Sequence, residues 1–338
     1  MEKIKSAVVL AIIALSAAMF SANAQDVPTA TLQSGDQVQI FKGADALKNA
    51  HAAAQSGDII SLSAGTFNST DITKAVKIRG VGYGENDNGT VLVNNFKINL
   101  AESESGLQIE GFITKGHIIV SGQLKNTLFR HIKAAEVDLN LTDCTTSNCT
   151  ISECILCRIP LDANSDNLLI DNSWVMRLFR SATQSSSATV SVVNCVIDAL
   201  SSSEASQANR LQYANISNSI LRRSATNSVG IVYSNCIWKT YSNSNYSFNN
   251  ISADAKQTNL YNVSEAEMNA LFSDKGLFTL TDEAAAKYLG TDGKQIGLYG
   301  GEIPYSEKPY VPVITKFEVP STVDADGKLS VTVAAETR

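Results

Sequence analysis

"SVVNCVIDAL" (191–200) decides how this chain is read, because variants of it return as "YANISNSILR" (213–222) and "VYSNCIWKT" (232–240). Each copy has an apolar or alternating lead-in, an Asn, a Cys or Ser, and two large apolar residues. Aligned on the Asn, the series runs back through "LLIDNSWV" (Asn172), "TISECIL" with Glu153 in that place, and "LKNTLF" (Asn126). Positions 126, 153, 172, 194, 218 and 235 recur about every 22 residues, a period characteristic of stacked-repeat architectures.

The lead-ins place Val190 and Val192, or Leu168 and Ile170, at period two and are rich in Val, Ile and Leu, which reads as strand. A repeat near 22 residues with no helix between strands excludes βαβ units and is too short for a propeller blade. The chain is therefore predicted to be all-β, a parallel β-helix (solenoid) in which each repeat is one coil stacked on the last by parallel pairing. At a sharp bend Asn is the non-Gly residue that best tolerates left-handed backbone geometry. Asn126, Asn172, Asn194, Asn218 and Asn235 are accordingly predicted to form a structural Asn ladder, hydrogen-bonded from coil to coil.

The residue after each bend is Thr127, Cys154, Ser173, Cys195, Ser219 or Cys236. Coils lie ~4.8 Å apart, so alternate members of this column stand roughly 9.6 Å apart, beyond disulfide reach. Cys195 and Cys236 are predicted to be free, buried thiols. Cys144, Cys149, Cys154 and Cys157 lie close in sequence, and a local disulfide from Cys144 to Cys149 or Cys157 stays open. The C-x-x-C within "SECILCRI" has a strand context and no second pair, so no metal site is predicted.

An open solenoid end exposes apolar cross-section and strand edges, so both ends need covers. Residues 44–55, "ADALKNAHAAAQ", read as a cap helix, followed by turns at Gly57-Asp58, Gly65 and Gly80. Ala53-Ala54, Gly57-Asp58-Ile59, Gly65-Thr66-Phe67, Ile78-Arg79-Gly80 and the later "QIGLYGG" (295–301) together resemble the pectin-lyase-like, right-handed parallel β-helix superfamily. The resemblance covers about residues 40–301 and is close to exported members from gut-dwelling Gram-negative bacteria. It implies a right-handed coil and a closing strand at 295–301, and leaves the chemistry open, because the superfamily holds lyases, hydrolases, esterases and adhesins.

The boundaries that follow are a signal segment over 1–24, a lead-in strand over 25–43, the β-helix with its cap helix over 44–301, and a C-terminal β-hairpin tail over 302–338. Lys3 and Lys5, an apolar run to Phe20 and Ala22-Asn23-Ala24 give the signal pattern, with cleavage expected after Ala24. The chain is thus expected to be exported and periplasmic, cell-surface or secreted, with no membrane-spanning segment. Short helices are predicted at 264–272 and 281–289. A net charge of −6 argues against a general nucleic-acid partner. The chain is expected to act as a monomer.

Beyond the bend the coils offer Arg130 and His131, Arg158, Arg177, Asp198, Arg222 and Arg223, and Lys239. In a stacked solenoid these would line one face, and like charges so close repel. An anionic polysaccharide lying along the axis would relieve that repulsion; neighbouring Asp and Glu, or side chains turned different ways, would do the same. Candidate substrate-binding residues are therefore Arg130, Arg158, Arg177, Arg222, Arg223 and Lys239. The leading function is polysaccharide binding without catalysis. The alternatives are a polysaccharide lyase of the pectate-lyase-like fold and a structural or adhesive surface protein. The paired aspartates, Gly-His-Gly and Arg-x-Lys of the related hydrolases are missing, and no residue receives a catalytic role. No cofactor is expected unless the chain is a lyase, where Ca²⁺ would have to be held by carboxylates such as Asp162, Asp166, Asp171 and Asp198. Trp174 and Trp238 are candidates for a sugar-stacking platform, against the plainer reading as core.

Overall fold

The computed structural model describes residues 27–83, 89–163, 165–180, 189–200, 211–222, 230–239, 257–308, 313–318 and 331–336. The expected signal segment, Arg223 and the connection expected between the two strands of the C-terminal hairpin lie outside the described residues.

The fold is a parallel β-solenoid. One strand series stacks in register from Ile59–Leu62 through Lys77–Arg79, Gln108–Thr114, Leu128–Ser147, Cys149–Ser152, Leu168–Asp171, Val190–Val193 and Ala214–Ser217 to Ile231–Lys239. Its inward column runs from Ile60 through Phe129 and Ile170 to Tyr233, every member at most 1% exposed. A period-two strand sends each of these to the same side, so the stack writes one continuous apolar core. After a bend, a second series follows, including Ile155–Leu161, Trp174–Arg180, Val196–Ala199 and Ile220–Leu221. A third, from Phe96–Asn99 and Ile118–Lys125 onto residues 139–147, closes the early coils.

The bend between the first two series is a column of left-handed backbone. Gly111, His131, Glu153, Asn172, Asn194, Asn218 and Asn235 occupy it, with φ between 40° and 79°. Asn126 belongs elsewhere. It sits one corner earlier, in register with Gly106 and Asn148, and accepts a 2.6 Å bond from the Asn148 amide. The bend of its coil is taken by His131. Both corners require positive φ, so both recruit Asn, and spacing by itself does not tell them apart.

One position past the bend, Cys154, Ser173, Cys195, Ser219 and Cys236 stack as a column of small buried side chains. The backbone N–H groups of Cys154 and Cys195 donate to Ser173 and Ser219 Oγ, each 3.0 Å away in the next coil. All six cysteines are free, so the bridge left open at Cys144 is absent. Thr127 keeps company with Cys149 at the earlier corner instead.

At the N-terminal end the anticipated single strand over 25–43 is a hairpin, β1 (Thr29–Ser34) and β2 (Gln37–Lys42). β1 also pairs antiparallel with Ile59–Leu62, so the sheet continues past the first coil. The cap helix, Ala46–Ala53, lays Ala46, Leu47, Ala50 and His51 against that end. His51 accepts a bond from the Thr73 N–H at 3.3 Å, and burial, then Lys74, pulls its pKa down.

The C-terminal part is a cover rather than a terminal coil. Helices Glu265–Ala270 and Asp282–Lys287 start at Ser264 and Thr281, whose side chains accept from Glu267 and Ala284 N–H. With Leu271, Phe272, Phe278 and Leu280 they pack over an outward column of the second series, Ile155, Trp174, Val196, Ile220, Ile237 and Tyr261. "QIGLYGG" is not a strand. It is a turn-rich strap, with Gly297 and Gly301 at φ 83° and 80°. Val313–Glu318 and Thr332–Glu336 form the anticipated antiparallel hairpin.

Candidate functional site

The five predicted cations among the described residues fall into separate columns. Arg130 lies before the bend, in register with Glu110 and then Arg79. Its Nε donates to Glu110 at 2.9 Å, and Arg79 meets the same carboxylate at 3.0 Å from the other side. Glu110 is 4% exposed, so this triad fastens three coils, and its one carboxylate fixes both guanidinium groups in place.

Arg222 and Lys239 stand in neighbouring coils of the second series, next to the paired Leu221 and Trp238. Arg222 Nη1 bonds Asp198 at 2.7 Å, and its guanidinium lies 4.4 Å from the Phe278 ring. Lys239 reaches Glu265 of the first cover helix at 2.8 Å. These two side chains pin the cover to the solenoid. Arg223 lies outside the described residues.

Arg158 and Arg177 share one register position in successive coils, within strands Ile155–Leu161 and Trp174–Arg180, Arg158 exposed and Arg177 half-buried. Asp138 precedes them in that column and Ala199 follows. Arg158 binds Asp138 through Nε at 2.7 Å, while 45% of its side chain stays in solvent. A guanidinium has five N–H donors, so a single Nε bond leaves the outward edge of the fork available. His117 stands one coil before Asp138. Its Nδ1 accepts the Asp138 backbone N–H at 3.1 Å, which places the ring proton of the neutral form on Nε2. Of the five candidates among the described residues, Arg158 and Arg177 are the pair that stands side by side without the cover over it, Arg158 exposed and Arg177 half-buried.

The carboxylate partners escaped the sequence reading although their signal is periodic. Glu110 precedes Arg130 by 20 residues, Asp138 precedes Arg158 by 20, and Asp198 precedes Arg222 by 24. Each interval is one coil. An acid one repeat before an arginine is a cross-strand neighbour in a parallel stack.

The remaining candidates are structural. Trp174 packs edge-on against Phe278 at 4.8 Å under the cover, and Trp238 is 7% exposed in the core. Asp162 and Asp166 both lie near buried Arg180 and lower the cost of its burial, Asp198 holds Arg222, and Asp171 sits on the other side of the bend. Among the described residues no group of three His, Cys, Asp or Glu side chains is placed to hold a metal ion, and no helix is long and apolar enough to cross a membrane.

The Asn column is itself an occupied seam. Asn172 Nδ2 donates to the carbonyls of Leu298 and Gly300, Asn235 Nδ2 to Leu289. Asn218 accepts the Thr291 N–H at 3.0 Å through Oδ1 and donates to Thr291 Oγ1. The amides thus face the strap over 289–301 instead of bonding one another in a ladder. Farther along the seam Tyr305 meets Tyr83, their hydroxyls 3.1 Å apart, and Tyr83 stacks on His131 at 4.2 Å.

Family models, curated proteins and solved structures were compared with the chain, and none of them matches.

Proposed function

We propose that this chain is an exported β-solenoid of the pectin-lyase-like kind that binds an extended anionic polysaccharide on the strand face carrying Arg158 and Arg177. The observation that carries the reading is the register of these two arginines in successive coils, with Arg158 exposed beside half-buried Arg177. Coils repeat every ~4.8 Å, so the pair offers planar, carboxylate-matching forks along the coil axis at the spacing of neighbouring strands. Asp138 orients the first fork from the coil before, and His117 extends the same polar column. Arg130, Arg222 and Lys239 are committed to carboxylates of the fold and play no part in this contact.

Binding is tested by retention on immobilised acidic glycan. Replacing Arg158 and Arg177 together by Glu is expected to reduce retention at least tenfold at low salt, while Arg222→Gln leaves it within twofold. Equal retention of the double variant and the parent removes the assignment. Retention that moves only with Arg222 relocates it to the cover.

A further inference from the structure

The N-terminal hairpin leaves one sheet edge open. β1 is paired on both sides, to β2 and to Ile59–Leu62. Among the described residues β2 pairs with β1 alone. The strand runs six residues without a bulge or proline and has a single charge, Lys42, at its end. Natural edges are normally blunted by such devices in mid-strand.

The turn fixes which backbone groups face outward. Gly35-Asp36 is a two-residue loop with Gly35 at φ 58°, so Ser34 and Gln37 close the hairpin with hydrogen bonds. Bonded pairs then alternate, through Leu32 with Gln39 and Ala30 with Phe41. The N–H and C=O groups of Val38, Ile40 and Lys42 therefore point away from β1. Phe41 packs on the core, and Ile40, on the opposite face beside Val38, is 46% exposed.

We propose that β2 is a self-association edge on which a second copy of the chain adds its own β2 antiparallel, making one sheet across a two-fold axis. Outward groups must meet outward groups, so Val38, Ile40 and Lys42 of one copy face the same set in the other, with Asp36 of the turn just beyond them. Setting Val38 opposite Ile40 brings Asp36 against Lys42 at both ends. Shifting by one bonded pair either way sets Lys42 against Val38 or Asp36 against Ile40. Charge complementarity and apolar pairing thus select the same register. In it Gln39 faces Gln39 across the axis as a non-bonded pair, with Cα atoms ~4.5 Å apart, within disulfide reach.

The full-length chain is tested by sedimentation velocity over a concentration series and by cysteine cross-linking on non-reducing gels. A dimer is expected whose association weakens at least tenfold in Ile40→Lys, an exposed position where the circular dichroism of the monomer should be unchanged. Gln39→Cys is expected to form an intermolecular disulfide. Gln37→Cys is not, because the two substituted sites would stand four positions apart along the strands, ~13 Å. A monomer at every concentration, as when residues 1–26 cover the edge, overturns the proposal. So do species larger than a dimer, a dimer indifferent to Ile40→Lys, or equal cross-linking at both positions.

Discussion

Cys154, Cys195 and Cys236 alternate with Ser173 and Ser219 because the space just inside the bend admits one small side chain per coil. Each thiol bonds a carbonyl two residues back, as Cys195 does with Val193 at 3.2 Å. Burial pushes the thiols of Cys144, Cys154 and Cys236 up to about 12, and raises Cys195 as well. In the unfolded chain they ionise near 9, so the fold binds protons that the unfolded state has released. Their contribution to stability is complete below pH 9 and is lost as pH rises from there towards 12, by about 1.4 kcal/mol per pH unit for each ionising thiol. Urea unfolding is expected to show a falling midpoint between about pH 8 and pH 10. Replacing Cys154, Cys195 and Cys236 by Ala should flatten that slope, and an unchanged slope would assign it to other groups. At about pH 8 a thiol reagent should label half-exposed Cys157 first and the five buried cysteines only on unfolding. The thiol column was legible in the sequence because it depends on one repeated position. The arginine partners were not, because each ion pair joins residues 20 or 24 apart that only the final register makes adjacent.

Two corner columns solve the same backbone problem with different surroundings. Asn218 at one bend is 4% exposed and holds Thr291 of the strap twice, whereas Asn126 at the other is exposed and touches Ser105 and Asn148. Glycine adopts positive φ at either site without penalty, so replacement by Gly removes the amide and leaves the bend. Asn218→Gly removes both bonds to the exposed Thr291 and is expected to cost about 1 kcal/mol. Asn126→Gly is expected to change stability by less than about 0.5 kcal/mol, as exposed substitutions do. Comparing the two urea midpoints checks whether the strap is what sets the Asn column apart; equal losses would mean that it is not. Sequence spacing grouped the two positions because both motifs read as Asn followed by a small residue. His131 and Glu153 hold the bend in two coils where that rule predicts Asn or Gly. At His131 the stacked ring of Tyr83, distant in sequence, covers the site, and no local pattern records it.

A stack of coils gains stability from neighbour to neighbour, so surfaces that face no neighbour must be closed by something else. The cap helix and β1 close the first coil, and the helix was legible within its own segment, whereas the lead-in read as one strand proved to be a hairpin. The lateral cover was legible only in part. Its helices were visible through their Ser264 and Thr281 caps, but their destination was not. The column they cover did carry a signal, because Ile155, Trp174, Val196, Ile220 and Ile237 stand two positions after the bend, where an open face would be polar. Burying one such side chain contributes about 1.5–3 kcal/mol, so the cover protects a strip that would otherwise draw solenoids together. A chain ending at residue 263 keeps every coil pairing among the described residues and loses Met268, Phe272, Phe278, Leu280 and Tyr288 from that strip. Its far-ultraviolet circular dichroism is expected to keep the strand signal while it binds an apolar dye strongly and aggregates at concentrations where the full chain stays dispersed. Adding Trp174→Lys and Ile220→Lys to the shortened chain should restore dispersion, since the two charges interrupt the exposed column without touching the inward core. If the shortened chain instead loses its strand signal, the cover stabilises the coils themselves, and the outward column is a second core in the full energetic sense.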